Sequence, residues 1–192
     1  VTVYRDPNNL QALIFRQQRF RTSPKRGDEW ETRVIPFTFK YQDADGLHHD
    51  RILLKGPVTV VPLQKPVTAV YGNADEAGFM RVDYDPSLRA NLESALPSIL
   101  NPSERIGYLG HLRGLSLSGE EQIDSFLNTL CCFKDDGTRV VVEAVVQYLE
   151  SLSNQMVPPG EIPQFQSFAN EMIGPIFRKL GWERTDGKTD EE

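Results

Sequence analysis

The sequence predicts an α+β multidomain protein: an N-terminal antiparallel β-sandwich followed by an α-helical array, α-solenoid-like and truncated. Three observations carry this. Before Gly78 the apolar residues alternate with a period of two, and after Pro86 they recur at helical spacing. In the first 85 residues, short apolar runs are separated by frequent Pro, Gly and Asp, as in a small sandwich. In the remainder, several short helices follow in series, each apolar on one side, which suits stacked antiparallel pairs without a clean sequence repeat. The expected domains are residues 1–85 (sandwich) and 86–192 (the first part of a larger helical array).

Val1, Thr2, Val3 and Tyr4 read as a strand already under way, so the chain is expected to be cut from something longer. Residues 10–20 mix apolar, basic and aromatic residues and read as a strand, and residues 22–28 as a loop punctuated by Pro24 and Gly27. Ile35, Phe37, Phe39 and Tyr41 alternate with Val34, Pro36, Thr38 and Lys40, which predicts a strand with one aromatic face. Residues 42–46 (Gln-Asp-Ala-Asp-Gly) predict a hairpin turn. Short strands are expected at 51–54, 58–61 and 67–71, bounded by Pro57, Pro62 and Pro66.

In the second half, Leu88, Leu92, Ala95, Leu96 and Ile99 predict one helical face, ended by Asn101 and Pro102. The next helix starts there, with Ile106 and Leu109 facing inward. Ser118 is placed to cap a third helix with the stripe Ile123, Phe126, Leu127, Leu130 and Cys131. A turn at 135–138 precedes a fourth helix carrying Val141, Ala144, Val145, Tyr148, Leu149 and Leu152. After the loop at 157–160 comes the strongest stripe: Phe165, Phe168, Ala169, Met172, Ile173, Ile176, Phe177 and Leu180. Gly181 is its expected stop, Pro175 its expected kink, and 185–192 an acidic tail expected to fray.

With 39% hydrophobic and 25% charged residues the composition is that of ordinary globular material, and a net charge of −6 argues against a dedicated nucleic-acid binder. No run approaches the roughly 18 apolar residues of a membrane span. Cys131 and Cys132 are adjacent, too close for ordinary disulfide geometry, and read as two buried thiols. They lean toward a reducing compartment, so the expected localisation is cytoplasmic.

Zinc hydrolysis needs three protein ligands and a general base, in compact form H-E-x-x-H on a helix, and the sequence has no such motif. His48 and His49 are neighbours that a strand points to opposite faces, which favours surface histidines over a shared metal. Asp43 and Asp45 begin like a calcium loop but lack the later oxygen ligands and closing Glu, and Asp135 with Asp136 reads as a capping turn. No phosphate loop and no G-x-S-x-G elbow occur. Arg16, Arg19, Arg21, Lys25 and Arg26 interleave with Phe15, Phe20 and Trp30, which admits a stacking platform for single-stranded nucleic acid or, more simply, a solvated strand face. No catalytic, cofactor-binding or metal-binding residue is therefore assigned.

Several segments in order resemble the C-terminal half of the aminopeptidase N family of zinc metallopeptidases. Val1-Thr2-Val3 and Phe15-Arg16-Gln17-Gln18-Arg19-Phe20 resemble the opening strands of its β-sandwich. Trp30 with Val34-Ile35-Pro36-Phe37-Thr38-Phe39 resembles its "W-x-I-P-L-x-Y" strand. Gly78-Phe79-Met80-Arg81-Val82-Asp83-Tyr84-Asp85 resembles its "G-Y-Y-R-V-N-Y-D" signature, departing at Phe79, Met80 and Asp83. Phe168-Ala169, Pro175 and Leu180-Gly181-Trp182 resemble a late helix ending in "L-G-W". The resemblance implies a non-catalytic piece of a zinc-dependent aminopeptidase, inactive alone, with zinc only in the parent enzyme. It implies the parent's catalytic domain as partner and peptide substrate as an indirect one; with the acidic composition no nucleic-acid partner is expected, and no membrane span is expected in this chain. Arg81, Tyr84 and Trp182 are expected to pack and hydrogen-bond rather than touch substrate. If the chain is such a piece, apolar surface is expected to be exposed where other parts would dock. The alternative is a free-standing protein- or peptide-interaction module without enzymatic activity.

Overall fold

A computed structural model describes residues 1–22 and 32–180. Residues 23–28 of the expected 22–28 loop, Trp30, the Gly181 stop, Trp182 and the 185–192 tail lie outside the described residues. Among the described residues seven strands come first: β1 (Thr2–Asp6), β2 (Asn9–Arg16), β3 (Ile35–Asp43), β4 (Gly46–Leu54), β5 (Val58–Pro62), β6 (Ala69–Gly72) and β7 (Asp83–Tyr84). Six helices follow: α1 (Pro86–Ser94), α2 (Leu96–Ile99), α3 (Pro102–Ser118), α4 (Ile123–Cys131), α5 (Arg139–Gln155) and α6 (Ile162–Leu180). The α+β class and the order of strands before helices agree with the expectation.

The strands form two sheets, ordered β5-β2-β1-β7 and β4-β3-β6. The alternation in β3 turns Phe37 and Phe39 inward, where they meet Phe15 of β2 at ring-centroid distances of 5.3 and 5.2 Å. All three rings are fully buried and knit the sheets together, each such pair adding about 0.5–1.5 kcal/mol beyond its area. Ala44 and Asp45 make the tight β3-β4 turn, with Gly46 at φ 129° following it. One pairing departs from the antiparallel expectation: β7 returns from far along the chain and pairs parallel to β1.

Several boundaries differ from the sequence expectation for identifiable reasons. The strand expected to reach residue 20 ends at Arg16, and the buried Gln17 side chain then donates to the carbonyls of Arg33 (2.9 Å) and Gly56 (2.7 Å). The first helix breaks at Ala95, just ahead of Pro97, whose ring and missing N–H cannot continue it. Ser118 does not cap the following helix. It ends α3, its Oγ donating to the Leu115 carbonyl, while Gly119 takes the left-handed conformation of a helix stop. Ile106 is half-buried and Leu109 fully buried. Cys131 is half-buried and Cys132 exposed rather than both buried, because the inward stripe of α4 centres on Phe126 and Leu130 and both cysteines fall to its side.

The chain divides into two compact units, Val1–Phe126 and Leu127–Glu192. In the first, the change of period does not separate sandwich from helices: α1 packs on β6 and β7, and α3 packs on β7 and on a 3₁₀ turn at Ala74–Glu76. In the second, α5 buries Val141, Val145, Leu149 and Leu152 and packs against α6, which contains Pro175 without interruption.

Candidate functional site

The densest polar chemistry of the first unit lies where β3 and β6 meet α3. Asn101 accepts from the Glu104 N–H (2.9 Å) while the Glu104 carboxylate accepts from the Asn101 N–H (2.9 Å), the reciprocal capping box that starts α3 after Pro102 is set at its first turn. Glu104 is fully buried, and this local device gives its carboxylate a second task. It receives Lys40 Nζ of β3 at 2.7 Å and the Asp75 N–H at 2.8 Å. Lys40 is itself buried, so the pair joins the sheet to the helix with its ionic valences met on both sides.

Next to it, Glu76 is held by three elements. The Tyr71 hydroxyl of β6 donates toward its carboxylate, Asn73 Nδ2 donates to it at 3.2 Å, and His111 Nε2 of α3 lies 3.4 Å from it. The Tyr71 hydroxyl also lies 3.0 Å from the Glu104 carbonyl, and its ring stacks on His111 at 10°. His111 is 1% exposed, and neither ring nitrogen makes a hydrogen bond among the described residues. The Glu76 carboxylate rests on the bare α-carbon of Gly107, in space a Cβ would occupy. The turn that carries it is strained: Asn73, Asp75 and Glu76 have φ of 63°, 59° and 52°.

The stretch from Gly78 to Pro86 runs on from this turn. Asn73 clasps Gly78, accepting from its N–H (2.7 Å) and donating to its carbonyl (2.9 Å), while the Phe79 side chain is fully exposed. Val82 and Tyr84 are buried, and the Tyr84 hydroxyl accepts from the Gly72 N–H (2.9 Å). The Arg81 side chain lies over Gly114, its guanidinium 6.0 Å from the Phe20 ring. Gly107 and Gly114 are seven residues apart on one face of α3, so two bare α-carbons seat the Glu76 and Arg81 side chains. Asp85 accepts from Ser87 N–H (2.8 Å) and Leu88 N–H (2.9 Å), capping α1 ahead of Pro86, and from Arg5 N–H (2.8 Å) of β1. Arg89 bridges Asp83 (2.7 Å) and Glu121 (2.6 Å).

Electrostatics makes this junction a set of committed groups. Burial pushes the Tyr71, Tyr84 and Tyr108 hydroxyls well above their ordinary range, so they stay protonated. Burial also pushes the Asp85 carboxyl up, but its bonds from Arg5, Ser87 and Leu88 prevail and hold it below the ordinary value. Glu121 follows the same pattern, with Arg89 prevailing over burial. Every one of these groups is tied to a partner across an element boundary, which suits holding elements together.

Sequence-predicted positions distribute as follows. His48 and His49 lie on opposite faces of β4, His48 half-exposed, stacked on Tyr41 (4.9 Å) and 2.8 Å from Asp43. Asp43 and Asp45 serve the β3-β4 turn, and Asp136 accepts from the Thr138 N–H (2.9 Å) just before α5. Of the basic and aromatic run, Phe15 is core and Phe20 partners Arg81, while Lys25, Arg26 and Trp30 lie outside the described residues. Tyr84 packs and hydrogen-bonds, and the Arg81 side chain packs over Gly114 and the Phe20 ring. Among the described residues, no group of three or more His, Cys, Asp and Glu side chains is placed to hold a metal ion. Sequence reasoning missed Lys40, Tyr71, Glu76, Glu104 and His111. Of these, only Glu104 carried a local signal, the capping-box spacing from Asn101.

This chain belongs to the family described as ERAP1-like C-terminal domain, whose pattern matches residues 69–192. It is similar to Alanine/arginine aminopeptidase of Saccharomyces cerevisiae, 23% identical over 172 residues, covering 88% of this chain and 20% of that protein. It is 24% identical to Aminopeptidase 2, mitochondrial, of the same yeast over 186 residues, covering 95% of this chain and 19% of that protein. Aminopeptidase M1-C of Oryza sativa subsp. japonica is 32% identical over 123 residues, 61% of this chain and 14% of that protein. The chain thus spans about a fifth or less of the length of these relatives.

Proposed function

We propose that this chain is a non-catalytic part of a zinc-dependent aminopeptidase. Its sandwich bridges the catalytic domain to the helical domain, and the helical domain covers the active site and limits peptide access. The parent would remove N-terminal residues with zinc-activated water held by residues outside this chain. Family membership and the aminopeptidase relatives support the setting. The single observation that carries the bridging role is the buried Lys40–Glu104 pair, which ties β3 of the sandwich to α3 within one compact unit. A bridge must transmit position, and a junction in which Lys40, Tyr71, Tyr84, Asp85 and Glu104 are tied across element boundaries does so.

The test uses the whole protein that contains this segment. Cleavage of a short aminoacyl reporter is compared with that of long peptides, in wild type and in Lys40→Met. The bridging reading expects reporter cleavage to persist while discrimination by peptide length changes. Equal loss on every substrate would count against the access role. The chain by itself is expected to hold no stoichiometric zinc and to cleave no reporter, and metal-dependent cleavage by the pure chain would sink the reading. A gene ending near these residues, with no upstream H-E-x-x-H, would leave the interaction-module alternative standing.

A further inference from the structure

An imidazole whose two nitrogens are both buried gives up the hydrogen bonds it would make in water, so an unbonded one calls for an explanation. His111 of α3 is 1% exposed, and neither ring nitrogen has a hydrogen-bond partner among the described residues. Its Nε2 stops 3.4 Å from the Glu76 carboxylate, beyond the roughly 2.7–2.9 Å of a charge-assisted bond. A proton on the ring would close that gap.

The carboxylate belongs to a second unusual feature. Asn73, Asp75 and Glu76 hold positive φ, which non-glycine residues keep only where their surroundings impose it. Apart from His111, the groups that hold the Glu76 carboxylate are the Tyr71 hydroxyl and Asn73 Nδ2, and Asn73 in turn clasps Gly78. Phe79, the next residue, is fully exposed, so no burial of its ring resists a movement of the turn. A buried imidazole without a bond therefore faces a strained turn that one more bond would steady.

We propose that His111 is a proton-operated latch on the turn at residues 73–78. A proton taken from solvent gives Nε2 a charged N–H that donates to Glu76 and holds the turn shut, and its loss lets the turn relax. Glu76 supplies the compensating charge, and its side chain, 28% exposed, opens the site to the proton. Tyr71, stacked on the ring, stays protonated and adds no charge. The other charged groups of the elements around α3 are engaged: Lys40 and the Asp75 N–H with Glu104, and Asp83 with Arg89. Arg81, whose side chain lies over Gly114 one turn along α3, is the cation that opposes a second positive charge here, and Arg105 and Arg113 of α3 have partners of their own. This inference stands independently of the aminopeptidase reading.

Nuclear magnetic resonance on the full chain, titrated over the range of about pH 5 to 8 in which imidazoles change charge, tests it. The His111 ring is expected to titrate, and the Asp75 and Gly78 amide signals, both bonded within the cluster, are expected to move in the same transition. Glu76→Gln removes the anion and is expected to lower the midpoint of the His111 transition by about one pH unit or more, leaving those of His48 and His49 in place. A His111 ring that does not change charge in this range overturns the proposal, and so do Asp75 and Gly78 amides indifferent to its transition. Neither of these results needs a variant to fold. A transition unmoved by Glu76→Gln overturns it as well.

Discussion

Helices α3 and α6 make opposite uses of their sequences. α3 has a weak apolar pattern interrupted by glycines, yet it buries eight residues, among them Glu104, His111 and Arg113. α6 has the most regular apolar stripe in the chain, yet of its described side chains only Met172 is fully buried. The two belong to different compact units. Burial depth follows from what a helix is packed against, and the first unit supplies two sheets and a clasped turn. The second, taken by itself, supplies α6 with α5. The stripe of α6 is mostly half-exposed, and Val140 and Met156 are exposed as well.

The largest test of this contrast removes one member of the buried pair. Lys40→Met leaves Glu104 charged and without its cation, and is expected to cost about 3–5 kcal/mol in urea unfolding of the first unit. The double change Lys40→Met with Glu104→Met should recover much of that loss, and a single-variant loss under about 1 kcal/mol would break the comparison. Gly107→Ala comes next. Its Cβ takes the place of the Glu76 carboxylate, an overpacking expected to cost about 1–3 kcal/mol and to loosen the strained turn, read as faster exchange of the Asp75 and Gly78 amides.

A smaller effect should appear in acid. The folded Asp85 carboxyl is held below its ordinary value, so its contribution is complete at neutral pH and disappears as the pH falls below about 4. Asp85 is half-buried, and after screening the loss should be about 0.5–1 kcal/mol. Asp85→Asn keeps a capping oxygen but should flatten that slope, and identical acid slopes would show that the carboxylate charge does nothing. The smallest expected effect is at the exposed apolar positions: Phe79→Ser and Val140→Ser should change stability by no more than about 0.5 kcal/mol. A loss of several kcal/mol at Val140 would show that the second unit is as tightly packed as the first.

Much of the local structure was legible in the residues. The aromatic alternation of 35–41, the turn at Ala44 and Asp45, the helix start at Asn101 and the stripe of α5 each express an interaction within a few positions. The junction was not legible, because Lys40 and Glu104 are 64 positions apart and Tyr71 and Glu104 are 33 apart. Nothing in an alternating strand marks one Lys as buried. The left-handed backbone at Asn73, Asp75 and Glu76 was equally hidden, since it is imposed by the carboxylates and glycines it packs against.

By itself, then, the sequence determined the α+β class, the order of strands before helices, and the family resemblance around Gly78 to Pro86. Periodicity, capping and turn chemistry act over a few residues and are written in order along the chain. Only the tertiary structure decided that β7 returns parallel to β1, that α1 and α3 join the sandwich in one unit, and that Glu76, Glu104 and His111 share a buried cluster. Those outcomes depend on which distant groups can satisfy one another away from water, and that choice is made when the elements pack.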